Sequence, residues 1–187
     1  MPETPNPPAA SPLTRAALEI DRYAAGLGWD APARLFALVD TARLRTEAPG
    51  LAERLGLDGD GEGAAAGAAL TPILQDELPA DRPLDEFLAT IAWPDSVTGC
   101  ALTVERLMLP PDGERQMPKE LADDPAALAE WAAGHPDRQE VRMTVAVLRG
   151  GGQEAALRLR AKDSEREVLT GKDLVPGLAE ALLATFD

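Results

Sequence analysis

The chain has 187 residues, of which 45% are hydrophobic, and this length and composition suit one globular domain rather than a disordered polypeptide. Its formal net charge of −14 repels nucleic-acid phosphates and anionic membrane surfaces, so neither is expected as a partner. A single cysteine excludes an internal disulfide, and no apolar run approaches the roughly 20 residues that span a bilayer. With an N-terminus that lacks a signal-peptide pattern, these features indicate a cytoplasmic protein.

The N-terminal segment, residues 1–12, holds five prolines and predicts a disordered tail. Ser11 and Pro12 are placed to cap and to open the helix that follows. Residues 13–187 are predicted to form a single domain. Within it, loop 56–69 is rich in Gly, Ala and Asp and is expected to be flexible.

Two short apolar segments, 34–41 and 70–78, are interpreted as strands, and Pro72 gives the second an edge position or an irregular start. Segment 98–109 is apolar on both of its faces and follows the sequence Trp93-Pro94. A strand of this kind is predicted to lie centrally in a sheet. Helices are expected after Asp81, after Asp124 and after Asp173, each with an apolar stripe at helical spacing.

The clearest pattern is a pair of alternating segments, 139–149 and 153–162, joined by three glycines. It predicts an antiparallel hairpin, which with 98–109 forms a three-stranded core. The predicted fold class is α+β, with a mainly antiparallel sheet of about four to five strands and helices packed on one face. The other face is expected to be open and to carry Arg142, Arg158 and Arg160.

These three arginines are the first candidate binding residues, and Glu105 in the neighbouring strand is able to lie across from them. Two interpretations stay open. The face receives an acidic segment, from a partner or from the protein's own linker, or Glu105 forms ion pairs that fix the strand register. The second is preferred, since solvated strand faces normally carry such charges.

Trp29 and Trp93 complete the candidate set. Each borders a turn that contains Asp and Pro, and packing at the edge of the core is the preferred role. A tryptophan exposed on a polar surface would instead indicate a partner site.

Several chemistries are excluded by residue type and spacing. Cys100 and His135 lack the surroundings of a nucleophile and its base, so Cys100 is expected to be a buried, inert thiol. The acidic residues 58–62 resemble the start of a calcium loop, but Ala69 stands where its bidentate acid is required. One cysteine and one histidine do not make a zinc site. No catalytic residue, metal site or cofactor is predicted.

Several strings of the sequence resemble an uncharacterised family of actinobacterial proteins of unknown function. The most specific strings are WPDSVTGCALTVERL and HPDRQEVRM, and the resemblance spans residues 13–186. It implies an actinobacterial source and a cytoplasmic setting, but no particular reaction.

Two functional hypotheses follow from these residues. The preferred one is a non-enzymatic, cytoplasmic protein-interaction module that binds another protein, or a second copy of itself, through its sheet face or an exposed edge strand. The alternative is an enzyme with a carboxylate and arginine site around Glu105, Arg106 and Arg142, because charge inside an apolar strand is costly unless it is satisfied. A flat, wet face would favour the first hypothesis, and a concave, dry pocket the second.

Overall fold

The computed structural model describes residues 10–56, 69–78 and 81–187 of the chain. Within these residues six strands form one antiparallel sheet in the order β2-β1-β3-β4-β5-β6. They are β1 (Arg34–Asp40), β2 (Leu70–Glu77), β3 (Gly99–Met108), β4 (Gln139–Leu148), β5 (Gln153–Leu159) and β6 (Leu169–Gly171). The predicted α+β class is confirmed, and the sheet has six strands where about four to five were expected.

Seven α-helices accompany the sheet in the described part of the chain. They are α1 (Pro12–Leu27), α2 (Thr41–Glu47), α3 (Pro49–Arg54), α4 (Leu84–Leu88), α5 (Pro111–Arg115), α6 (Pro125–Ala133) and α7 (Pro176–Ala184). α1 begins as predicted, because the hydroxyl of Ser11 accepts a hydrogen bond from the backbone N–H of Thr14 at 3.1 Å. α7 begins at Pro176, with Val175 at its N-cap, rather than directly after Asp173. None of the described helices is long and apolar enough to cross a membrane.

The predicted hairpin is formed by β4 and β5, and β3 pairs antiparallel with β4 on one side and with β1 on the other. β3 and β4 pair over ten residues, from Gly99 opposite Leu148 to Met108 opposite Gln139. β4 and β5 pair from Val141 opposite Leu159 to Val147 opposite Gln153. β3 therefore lies in the interior of the sheet, as its two apolar faces required.

Helices cover both faces of the sheet, and the prediction of helices on one face is wrong. α4 and α7 pack on the face that presents Leu35, Leu102 and Val145. α1 packs on the opposite face, which presents Phe36, Leu38 and Ala101. Small side chains on both surfaces let α1 approach the strands closely, and all of them are buried: Ala16, Ala17, Ala24, Ala101, Ala146 and Ala156.

The arginine face is consequently not open. Arg142 and Arg158 are only 2% and 3% exposed because α1 and the loop after it cover them. Sequence alternation marks a charged strand residue as solvent-facing, but here a helix from the other end of the chain supplies the opposite charge. Arg160 alone, at 40% side-chain exposure, stands at the rim.

Both edges of the sheet are poorly suited to pairing with another strand. β2 carries Pro72, which has no N–H to donate, and its register with β1 shifts between Arg34 and Phe36. β6 at the other edge is only three residues long. Proline, a shifted register and a short strand are devices that discourage edge-to-edge association. The edge position predicted from Pro72 is confirmed.

The predicted disordered tail (1–12) and flexible loop (56–69) fall mostly outside the described residues. The acidic, calcium-loop-like residues 58–62 also lie outside them. The disorder of the tail and the flexibility of the loop therefore stay predictions.

Candidate functional site

Five of the six predicted binding residues meet beneath the loop that joins α1 to β1: Trp29, Glu105, Arg142, Arg158 and Arg160. The loop turns sharply because Gly28 and Asp30 have φ angles of 89° and 63°. Glycine enters this left-handed region without steric cost, and aspartate is among the few other residues enriched there. The turn carries the indole of Trp29 over Arg142, whose guanidinium carbon lies 4.3 Å from the ring centroid.

Arg142 and Glu105 face each other on neighbouring strands and hold the loop from both sides. Nη2 of Arg142 donates to the carbonyl oxygen of Gly28 at 2.6 Å and to Oε1 of Glu105 at 3.2 Å. Glu105 in turn accepts a hydrogen bond from the backbone N–H of Asp30 at 2.8 Å. One cross-strand ion pair therefore anchors the loop through both of its charges.

Arg158 forms the deepest part of the network. Its Nη2 and Nε donate to the carboxylate of Asp21 on α1 at 2.7 and 3.2 Å, and its Nη1 donates to Asp163 at 3.0 Å. The hydrogen bonds that Arg158 donates to Asp21 raise the pKa of Arg158 above its usual value. The indole N–H of Trp29 donates to Asp163 at 3.0 Å, and this bond, followed by those from Arg158, lowers the pKa of Asp163.

Arg160 closes the network at the surface. Its Nη1 and Nη2 donate to the two carboxylate oxygens of Asp30 at 3.0 and 3.1 Å, and Nη1 also donates to Glu140 at 2.9 Å. These bonds, first that of Asp30, raise the pKa of Arg160. Asp30 is the non-glycine residue with positive φ in this loop, so Arg160 holds the loop at a strained position.

The network joins three arginines to five carboxylates, which gives it a formal charge of 3 − 5 = −2. Every candidate arginine has a carboxylate partner, and the cavity beside Glu105 and Arg142 has a volume of about 10 Å³. Arg106 points away to solvent, and its guanidinium donates to the carbonyl oxygen of Glu105. In this geometry Glu105 pairs across the strands with Arg142, and both residues also contact the backbone of the loop after α1.

The network includes two carboxylates that the sequence interpretation did not single out, Asp21 and Asp163. Asp21 is 1% exposed and follows Ala17 by four positions, so it stands on the apolar stripe of α1. A lone acid on such a stripe indicates a buried cationic partner, and this signal was available in the sequence. Asp163 offers no comparable signal, because it stands in a polar segment where any acid suits a solvated turn.

Trp93, the sixth predicted residue, lies outside this network and lines a groove. Its Nε1 donates to the hydroxyl of Thr185 at 2.8 Å, and its ring stacks on Phe186 with centroids 6.1 Å apart. The indole is thereby held at the edge of the core, and its remaining surface faces the groove.

The groove lies on the face that α7 and α4 partly cover, and it has a volume of about 820 Å³. Its floor is β1, one wall is α2 with α3, and the other wall is α4 with the segment that follows it. The lining is mainly apolar and includes Leu35, Val39, Leu51, Phe87, Ile91 and Trp93. At the rim, Nε of Arg43 donates to Glu47 at 2.9 Å, so the groove carries one balanced ion pair.

Cys100 and His135 are placed apart in separate hydrogen-bond environments. Cys100 is fully buried against α7, with Sγ 3.8 Å from the hydroxyl of Thr185, and burial raises the pKa of its thiol to about 12. His135 instead contacts Gln116 and accepts from the backbone N–H of Asp137. A thiol with such a pKa supplies almost no thiolate at neutral pH. Among the described residues, no group of three metal-ligating side chains comes together.

The fold and these two sites define an α+β domain with a closed charge network on one face of its sheet and an open apolar groove on the other. The chain matches the family model of PPA1309-like proteins over residues 13–187, so it belongs to that family. This match confirms the predicted membership of an uncharacterised family. Comparisons with curated proteins and with solved structures gave no match.

Proposed function

We propose that the protein is a non-enzymatic protein-interaction module of the actinobacterial cytoplasm, and that the groove binds an apolar segment of a basic partner protein. The observation that carries this proposal is the groove itself, about 820 Å³ in volume and mainly apolar in lining. Binding pockets in proteins typically have this size and this mixture of apolar walls with a few polar groups. An amphipathic helix placing two or three apolar side chains in the groove is a common way of filling such a surface.

The other surfaces considered from the sequence support the proposal less well. The arginine face is occupied by α1 and the loop after it, and its charges are already paired. β2 contains a proline, and β6 is only three residues long. Both features disfavour the addition of another strand at these edges. The groove, at about 820 Å³, is larger than the apolar pocket of about 530 Å³ that Leu13, Leu70 and Leu148 line.

Charge favours a basic partner over a second copy of the chain. Two copies, each with a net charge of −14, repel one another. The segments that flank the groove, residues 41–56 and 81–97, hold four Arg and six Asp or Glu, which gives 4 − 6 = −2. A partner segment with apolar anchors and basic neighbours is attracted to this surface, whereas nucleic acid is repelled by it.

The alternative of an enzyme around Glu105, Arg106 and Arg142 is not proposed. The cavity of about 10 Å³ beside Glu105 admits no organic substrate. Glu105 already accepts from Arg142 and from the loop backbone, so it is not free to act as a base.

The experiment selects binders from a peptide library displayed on phage and measures their affinity for two matched variants. Ala92 is exposed and lines the groove, and Ala92→Glu places a charge at its wall. Ala129 is exposed on α6, outside the groove, and Ala129→Glu is the matched control. Selected peptides should be apolar with basic flanks, and they should lose at least about tenfold in affinity for Ala92→Glu alone, which corresponds to about 1.4 kcal/mol.

Three outcomes would contradict the proposal. Equal binding to both variants would place the binding surface elsewhere. Failure to select any peptide, combined with groove-dependent binding of the dye anilinonaphthalene sulfonate, would indicate a small-molecule site instead. Self-association that Ala92→Glu abolishes would make a second copy of the chain the occupant.

A further inference from the structure

The guanidinium of Arg142 is satisfied on one side only. Nη2 donates two hydrogen bonds, to Gly28 and to Glu105. Nη1 is buried and has no hydrogen-bond partner among the described residues. Since Arg142 is 2% exposed, bulk solvent does not reach this N–H group. A buried charged donor without an acceptor carries its full cost of desolvation, and native proteins rarely leave one in that state.

A cavity of about 10 Å³ lies against the side chain of Arg142. Glu105 and Thr103 line it with hydrogen-bond acceptors, and Arg34 and apolar residues such as Ala24 and Ala31 form other parts of its lining. An internal water needs roughly 10–15 Å³ and two to four polar partners. Volume and lining therefore both fit one water molecule and nothing larger.

We propose that one internal water molecule occupies this cavity, where it accepts a hydrogen bond from Nη1 of Arg142 and donates to Glu105 or Thr103. The water completes the hydrogen bonding of the guanidinium. It also bridges the sheet to the loop after α1, because Ala31 and Pro32 form the roof of the cavity. This inference is independent of the proposed function of the groove.

The charges around the cavity favour water over an ion. Two arginines line the cavity, and each has a carboxylate partner: Glu105 pairs with Arg142 at 3.2 Å, and Glu77 pairs with Arg34 at 3.1 Å. An anion in the cavity would add an uncompensated negative charge next to the Glu105 carboxylate, and a cation would face the guanidinium of Arg142. A neutral molecule that both accepts and donates hydrogen bonds meets neither repulsion.

A crystal structure of the full chain, at a resolution where internal waters are visible, tests the site directly. We expect one ordered water within hydrogen-bond distance of Nη1 of Arg142. In solution, oxygen-17 magnetic relaxation dispersion counts long-lived internal waters. The count should fall by one in Arg142→Met and stay unchanged in Arg160→Met, which alters an arginine at the rim.

Other results would overturn the inference. One is an empty cavity in a crystal in which other internal waters are seen, and another is a side chain of Arg142 turned so that Nη1 meets a protein acceptor. An anomalous signal at the site after a bromide soak would replace the water by an anion. If Arg142→Met does not fold, as judged by circular dichroism, the electron density of the unaltered protein decides alone.

Discussion

The carboxylate of Asp21 and the guanidinium of Arg158 approach to 2.7 Å, although 137 residues separate them in the chain. Their side chains are 1% and 3% exposed, so the ion pair lies in the protein interior. It joins α1 to β5 on the face of the sheet that was expected to be open. The position of the first helix is thus specified by a charge as well as by apolar packing.

Replacing Asp21 by alanine is expected to destabilise the protein by about 3–5 kcal/mol, because Arg158 would stay buried with part of its charge uncompensated. Urea denaturation followed by circular dichroism measures the change. The control is Glu165→Gln, which removes the exposed pair between Arg22 and Glu165, 59% and 69% exposed. That variant should lose less than about 1 kcal/mol. A similar loss of stability in both variants would show that the buried ion pair stabilises the protein no more than the exposed one.

Replacing Trp29 by phenylalanine is expected to raise the pKa of Asp163 towards its usual value of 3.8. Phenylalanine keeps an aromatic face over Arg142 but removes the N–H that donates to Asp163. In the unaltered protein the folded pKa lies below the unfolded one. Asp163 therefore stabilises the fold above about pH 4, and this stabilisation is lost as the pH falls through the folded pKa.

NMR titration of the Asp163 carboxyl carbon measures this shift, and acid denaturation should begin at a higher pH in Trp29→Phe. The matched control is Trp131→Phe, in which the ring that contacts His135 on α6 is changed without touching the network. An unchanged pKa of Asp163 in Trp29→Phe would show that the indole N–H does not set it.

The thiol of Cys100 is expected to resist modification in the folded protein. With a pKa of about 12, only about one thiol in ten thousand is ionised at pH 8, and the group is fully buried. Iodoacetamide should label Cys100 in urea and leave it unlabelled in buffer, as mass spectrometry of the intact chain would reveal. Rapid labelling in buffer would contradict the burial of this residue.

The same thiol makes stability depend on alkaline pH. The unfolded thiol ionises near its usual value of 9.0 and the folded thiol only near 12. Between these values the folded state binds more protons, so stability falls as the pH rises, by up to about 1.4 kcal/mol per pH unit. Urea denaturation between pH 8 and about pH 10.5 should show this slope reduced in Cys100→Ala, which cannot ionise. Equal slopes in both proteins would show that ionisation of Cys100 does not contribute to the pH dependence of stability.

Two glycine substitutions should have opposite effects. A Cβ on Gly99 would overlap the backbone carbonyl oxygen of Val147 in the neighbouring strand, so Gly99→Ala should destabilise the central pair β3–β4. Gly26 lies in α1 with nothing within 4 Å of such a Cβ, and Gly26→Ala should stabilise the helix by about 0.5–1 kcal/mol. Thermal unfolding followed by circular dichroism compares the two. A change in stability of the same sign in both variants would be inconsistent with this geometry.

The sheet was accessible from the sequence because its signals are local. Residues 139–148 and 153–159 alternate in polarity and are joined by glycines, so pattern and turn chemistry indicate the same hairpin. Pro72 marked the strand that lies at an edge. β6 was not fully predicted, because three residues carry almost no periodicity. α5, with five residues, is also too short for its periodicity to indicate a helix.

The covering of the arginine face by α1 could not be predicted from the sequence in the same way. Alternation assigns Arg142 and Arg158 to a polar surface, and nothing near them in sequence indicates a lid. Asp21, the partner of Arg158, lies on a helix whose apolar stripe shows that the helix packs on the core, but not on which face of the sheet. The groove was likewise invisible, because its walls come from segments far apart in the chain, such as Leu51 and Trp93.

The distance in sequence between α1 and β5 has a consequence for biosynthesis. A ribosome releases the N-terminal helix early, yet the strand that receives its buried carboxylate is translated 137 residues later. Until that strand emerges, Asp21 lacks the guanidinium of Arg158 that pairs with it in the interior. The nascent chain is therefore expected to acquire its native fold only after β5 and Asp163 have been translated, and truncation before Asp163 should leave an aggregation-prone product.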